Sequence, residues 1–152
     1  MGRLAERLSA NPIIGLDTSI FIYHLEAQPT YIPFTREIFT GIESGQMSAA
    51  TSVITLMELT VHPWKMGRQD VARKYEALLA HFPNLRLFNI DRNVARRAAQ
   101  LRAKFRIHPS DALQVATCLV HDASPFITKD SRLSQLQPVL HILILDDYVV
   151  HE

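Results

Sequence analysis

Asp17, Glu58, Asp111 and Asp130 are acids whose local settings could bring four carboxylates to one place. Asp17 ends the apolar run Ile13-Ile14-Gly15-Leu16, which reads as a strand, and Asp130 follows a second strand, Phe126-Ile127-Thr128. In open parallel sheets ligands bind beyond the carboxyl ends of the strands, so both acids are expected at one rim. Asp111 opens a helix after Pro109-Ser110, and Glu58 must arrive from a helix of its own. Two carboxylates about 4 Å apart repel by roughly 4 kcal/mol at an effective dielectric of 20, so a cluster of four calls for cations or protons. Hard divalent cations such as Mg²⁺ take oxygen ligands. Taken singly, each acid has a plainer explanation: Asp17 and Asp111 as helix caps, Asp130 as a turn residue, Glu58 on a solvated helix face.

The neighbours of these acids carry more. Ile-Ile-Gly-Leu-Asp-Thr-Ser-Ile at 13 to 20, Leu56-Met57-Glu58-Leu59, Ser110-Asp111-Ala112-Leu113-Gln114-Val115-Ala116 and Ile127-Thr128-Lys129-Asp130 resemble, in order, the four acidic motifs of the PIN-domain family. The resemblance runs from about Ile13 to Leu145 and is closest to the VapC-type ribonuclease toxins of toxin-antitoxin pairs. It implies a three-layer α/β/α fold and an Mg²⁺- or Mn²⁺-dependent endoribonuclease with Asp17, Glu58, Asp111 and Asp130 as catalytic residues. Asp17 and Asp111 match the family's metal ligands; Glu58 and Asp130 would bind a second metal or orient the water. Thr18 and Thr128 are expected to add hydroxyl bonds behind the carboxylates. The resemblance also implies a small antitoxin partner and a homodimer, with Ile20, Tyr23, Ile38 and Phe39 as candidate contact residues.

Positioning these acids requires alternating strands and helices. Asp17-Thr18-Ser19 supplies cap chemistry for a helix over Ile20 to Leu25, and Phe34, Ile38, Phe39 and Ile42 recur at helical spacing up to Gly45. Met47 to Ala50 is a strand candidate. Thr51-Ser52 then caps a helix carrying Val53, Leu56, Met57 and Val61, which His62-Pro63 is expected to end. Further on, the pattern predicts a helix over Asp70 to Phe82, a strand over Leu85 to Ile90, a basic helix from Asp91 or Asn93 to about Phe105, and a helix from Pro109 towards Asp122. A short helix over Ser131 to Leu136 and a buried strand over Leu140 to Leu145 follow. Such alternation argues for βαβ units and a mostly parallel sheet in one domain covering 1 to 152, with residues 1 to 11 a short N-terminal extension read as a surface helix.

Net charge constrains less. Lys plus Arg is 16 against 15 for Asp plus Glu, so no global signal favours nucleic acid or membrane, and any charge argument is local. The best local surface lies between Asp91 and Arg106, where Arg92, Arg96, Arg97, Arg102, Lys104 and Arg106 face a single acid. Arg92, Arg96, Arg97 and Arg106 are the candidate RNA contacts, a merely solvated face being the alternative. Lys129 and Arg132 flank Asp130. The lone Cys118 reads as a small core hydrophobe and fits a reducing, cytoplasmic setting, and no apolar run is long enough for a membrane span. The seven histidines show no metal-ligand spacing. A receiver domain would need an acidic pair after strand one, and a haloacid-dehalogenase-like phosphatase an Asp at position 19, which is Ser19. A degenerate, non-cleaving PIN domain that binds RNA or protein is the remaining alternative.

Overall fold

In the computed structural model, which describes residues 3 to 149, five strands form one sheet: β1 (Ile14–Leu16), β2 (Ala49–Ser52), β3 (Leu85–Phe88), β4 (Phe126–Thr128) and β5 (Ile142–Ile144). The order is β3-β2-β1-β4-β5 and every pairing is parallel. Seven α-helices surround it: α1 (Arg3–Ser9), α2 (Thr18–Leu25), α3 (Ile32–Glu43), α4 (Val53–Lys65), α5 (Gln69–His81), α6 (Arg92–Lys104) and α7 (Pro109–Val120), with short 3₁₀ turns at Ser131–Leu136 and Leu145–Tyr148.

Side-chain alternation along the strands divides the interior into two cores, one per sheet face. Ile14, Leu16, Ala49, Ile127 and Leu143 join α1 to α5 on one side. Ala50, Phe126, Ile142 and Ile144 join α6, α7 and the first 3₁₀ turn on the other. That is the expected three-layer α/β/α arrangement. Gly15 faces the second core, where α7 comes so near that an added Cβ would stand 2.3 Å from Cys118 Sγ. Glycine is therefore required for close helix packing two residues before Asp17.

Three expectations change. Residues 3 to 9 form the expected short helix, but its Leu4 and Leu8 are buried in the first core, so it packs into the domain instead of lying only on the surface. Met1 and Gly2 lie outside the described residues. Pro63 does not end α4, which continues to Lys65; near a helix end a proline removes one late hydrogen bond, and burial of its ring offsets that loss. The inward face of α4 is Thr55, Leu59 and Thr60, while Met57, Val61 and Trp64 are about half exposed. Of the apolar stripe that defined this helix in the sequence, Leu56 packs against the first core and Val53 is half-buried, whereas Met57 and Val61 face outward.

Candidate active site

Sheet order reverses at β1: the chain moves one way through β2 and β3, then crosses back to place β4 and β5 on the other side. A crevice opens at such a switch point beyond the strand ends. Asp17 follows β1 there and Asp130 follows β4. With Glu58 from α4 and Asp111 from the first turn of α7, they line one open pocket of about 420 Å³ together with Thr18, Ser19 and Lys129. All four predicted acids therefore meet on one concavity.

Asp17 is the innermost, 8% exposed. It caps α2 with extended backbone, Oδ1 accepting from the Thr18 N–H at 2.8 Å. Its other oxygen accepts from the Thr128 hydroxyl at 2.6 Å and the Ser19 hydroxyl at 3.2 Å. Burial nevertheless raises its pKa, because desolvation outweighs those donors and Glu58 adds negative potential. Glu58 accepts from the Thr18 hydroxyl at 2.7 Å. The expected supporting bonds from Thr18 and Thr128 are present.

Asp111 is half-buried, and its carboxyl is pushed up to about 6, first by desolvation and then by the charges of Asp17 and Asp130, with Glu58 adding a smaller push. His108, the residue preceding α7, pulls the other way. Asp130 is more open: Arg132 grips both its oxygens, with Nη2 to Oδ2 at 2.8 Å, and holds its carboxyl below the usual range. Sequence reasoning noted Arg132 only as a flanking charge and His108 not at all. A guanidinium two residues from an acid is a readable spacing, whereas His108 becomes relevant only once the loop before α7 is placed.

The donor set is four hard carboxylates with no thiol or imidazole among the pocket-lining residues, which suits Mg²⁺ or Mn²⁺. The charges of Asp17, Asp130 and Glu58 add to desolvation in lifting Asp111, so the pocket would welcome positive charge. Among the described residues no three acidic, His or Cys side chains stand close enough, as they are turned, to grip an ion together. Arg132 engages both oxygens of Asp130 and so competes with a cation for that carboxylate.

The basic surface divides. Phe88, just before α6, stacks on His121, just after α7, with centroids 3.6 Å apart, so α6 and α7 run antiparallel as a hairpin. Arg92 and Arg96 thus lie in the half of α6 remote from Asp111, about 18 Å and about 12 Å along the helix from Lys104 at 1.5 Å per residue. Arg106 lies at the near end, where it shares a shallow pocket with Arg102 and His108. Arg97 is half-buried and donates to Gln100. Of the candidate docking residues, Ile20, Ile38 and Phe39 belong to the core, and Tyr23 stacks on Tyr31. Available apolar surface is instead Met57, Val61, Trp64 and Met66. Beside it a groove of about 440 Å³ between α2, α4 and α5, lined by Leu25, Leu59, Pro63 and Tyr75, shares Ile22 and Glu58 with the acidic pocket.

A profile of the PIN domain matches residues 14 to 137, from β1 through the 3₁₀ turn beyond Asp130. The chain belongs to the PIN-domain family. Its fold is also that of several solved structures: VapBC2 from Rickettsia felis bound to a DNA fragment from its promoter (TM-score 0.65, 18% identity, covering 87% of this chain and 98% of that one); FitAcB from Neisseria gonorrhoeae (0.64, 20%, 88% and 97%); and a toxin-antitoxin complex from Klebsiella pneumoniae (0.62, 18%, 89% and 98%). A comparison with curated proteins found no match. This PIN domain extends its family match by α1, whose leucines complete the first core. No helix among its described residues is long and apolar enough to cross a membrane.

Proposed function

We propose that this PIN domain is an Mg²⁺- or Mn²⁺-dependent endoribonuclease that hydrolyses RNA phosphodiester bonds in the cytoplasm as the toxin of a VapBC-type pair. The observation that carries the reading is the convergence of Asp17, Glu58, Asp111 and Asp130 on one pocket at the switch point of the sheet. Asp17 and Asp111 hold the cation; Glu58 and Asp130 take a second one or position the attacking water. When bound, the metal supplies positive charge beside the phosphodiester and makes water a stronger nucleophile. Thr128 and Thr18 fix the Asp17 and Glu58 oxygens in place, so these two acids enter the reaction already oriented. Lys129 and Arg106 neutralise phosphates next to the acids, and Arg92, Arg96 and Arg97 continue a basic track along α6. Products carry 5′-phosphate and 3′-hydroxyl ends.

The similar toxin-antitoxin complexes support an antitoxin partner. The groove between α2, α4 and α5 is apolar and opens into acidic surface, which favours an antitoxin segment with apolar side chains and basic residues. The exposed Met57, Val61 and Trp64 stripe is the surface on which a homodimer would be built.

The test is cleavage of an end-labelled single-stranded RNA by the purified chain with Mg²⁺, Mn²⁺ or EDTA. Metal-dependent fragments from the wild type, absent with Asp17→Asn and with Asp111→Asn, are expected. No cleavage by the wild type in either metal, together with retained RNA binding, would favour the non-cleaving alternative, and cleavage that survives EDTA would overturn the metal-dependent mechanism.

A further inference from the structure

Behind the pocket lies a group of buried hydroxyls joined by one amide. Gln114 is 2% exposed on α7, one turn beyond Asp111. Its Nε2 donates to Thr18 Oγ1 at 3.0 Å and Thr55 Oγ1 at 2.8 Å, and its Oε1 accepts from Ser52 Oγ at 2.7 Å. Thr51 Oγ1 donates to the Leu16 carbonyl at 3.0 Å and lies 2.7 Å from Thr55 Oγ1. Thr18 Oγ1 donates to Glu58 at 2.7 Å.

Proton accounting makes this network directional. A hydroxyl has one proton to give. Thr51 spends its proton on Leu16, so Thr55 must supply the one in the Thr51–Thr55 contact. Thr55 and Thr18 therefore receive from the Gln114 amide, and the proton of Thr18 is left for Glu58. Only the 3.1 Å contact between Thr18 and Thr55 carries no proton. Turning the amide round would make Thr18 and Thr55 both donate to Gln114, which strips Glu58 of its donor and leaves either Leu16 or the Thr51–Thr55 contact without a proton. Among the described residues no buried side-chain nitrogen or oxygen lacks a partner, and in the first orientation every hydroxyl and amide proton of this group also has an acceptor.

We propose that Gln114 is a positioning residue for Glu58: its amide directs the Thr18 hydroxyl proton onto the Glu58 carboxylate and so sets the rotamer in which Glu58 faces the pocket. Gln114 is not among the residues that line the pocket and acts on Glu58 through Thr18. The link joins β2, α2, α4 and α7 and ties the setting of Glu58 to the helix that presents Asp111. The metal part of the test rests on the nuclease reading, whereas the ordering of Glu58 does not.

The test uses Gln114→Met, which keeps the volume and deletes the amide, and Thr18→Val, which removes the same proton while Gln114 keeps Ser52 and Thr55. In the metal-free full chain, side-chain scalar couplings of Glu58 measured by NMR should report one rotamer in the wild type and averaging in both variants. Calorimetric Mn²⁺ affinity should fall about tenfold in Gln114→Met, as for loss of groups that orient metal ligands. In a Glu58→Gln background the same change should have almost no further effect, because the lever it acts on is gone. A Glu58 rotamer unchanged in both variants overturns the proposal, as does an equal loss of affinity in the Glu58→Gln background, which would mark Gln114 as merely structural. A wild type that binds no Mn²⁺ while Glu58 still depends on Gln114 would instead sink the nuclease reading and leave the positioning role standing.

Discussion

The two sides of the acidic pocket are built differently. On one, Asp17 and Glu58 are set in place by neutral donors, namely the Thr128, Ser19 and Thr18 hydroxyls and the Thr18 N–H. On the other, Asp130 is balanced by the bidentate Arg132, while Asp111, half-buried in the same pocket, has its carboxyl pushed up to about 6 by desolvation and by the neighbouring acids. Neutral donors hold geometry without cancelling charge, so the first side is a rigid wall that keeps its negative potential. Charged partners cancel potential but yield easily, since an exposed ion pair is weak. Rigidity on one side and exchangeable countercharge on the other is what a site needs if it is to admit a cation without unfolding.

The largest difference should come from the rigid side. Asp17→Asn is expected to abolish cleavage while the metal-free chain melts at the same or a higher temperature, because burial already disfavours the charge on Asp17. A drop of several degrees would mean that Asp17 is held as a structural anion. Thr128→Val removes the shortest donor to Asp17 from a fully buried position. It should cost about 1–3 kcal/mol in urea unfolding and weaken Mn²⁺ binding by roughly 10- to 100-fold. A silent variant would place Asp17 under the control of the backbone alone.

On the open side the effects are smaller and electrostatic. Asp111 keeps its proton up to about pH 6 in the folded chain but loses it near its ordinary value of 3.8 when unfolded. Between those values the folded state binds more protons, so stability of the metal-free protein should fall as pH rises from about 4 to about 6. Asp111→Asn should flatten that slope in a melting series, whereas an unchanged slope would assign it elsewhere. Arg132→Ala should tighten Mn²⁺ binding by about two- to fivefold, as expected for release of one exposed ion pair. Weaker binding would show that Arg132 holds Asp130 in the metal-ready position instead of competing for it.

Much of this frame was legible in the sequence because it rests on local signals. Short apolar runs marked the strands, and Asp17, Ser52 and Asp91 proved to be the caps that their side-chain chemistry suggested. The shared rim of Asp17 and Asp130 followed from strand ends in a parallel sheet, whereas the arrival of Glu58 and Asp111 from helices rested on the resemblance of their motifs to the family. What stayed hidden depends on long-range choices. Apolar periodicity located α4 but not its inward side, because the buried positions Thr55 and Thr60 are hydroxyls satisfied by Thr51, Gln114 and the Leu56 carbonyl, which a hydropathy pattern scores as surface. Gln114 looked like one residue of a motif, since its partners lie 59, 62 and 96 residues away. Leu4 and Leu8 gave too short an apolar pattern to announce a core helix, and the grip of Arg132 on Asp130 is a matter of rotamer.

Proton release on metal binding probes the central claim most directly, because it reports the carboxylates themselves. Calorimetric titration of the chain with Mn²⁺ at pH 6, in buffers of different ionisation enthalpy, should show about half a proton or more expelled per ion, falling towards zero at pH 8 and lost with Asp111→Asn. Binding that expels no proton at pH 6, or that is indifferent to both Asp17→Asn and Asp111→Asn, would contradict the assembly of these acids into one cation site.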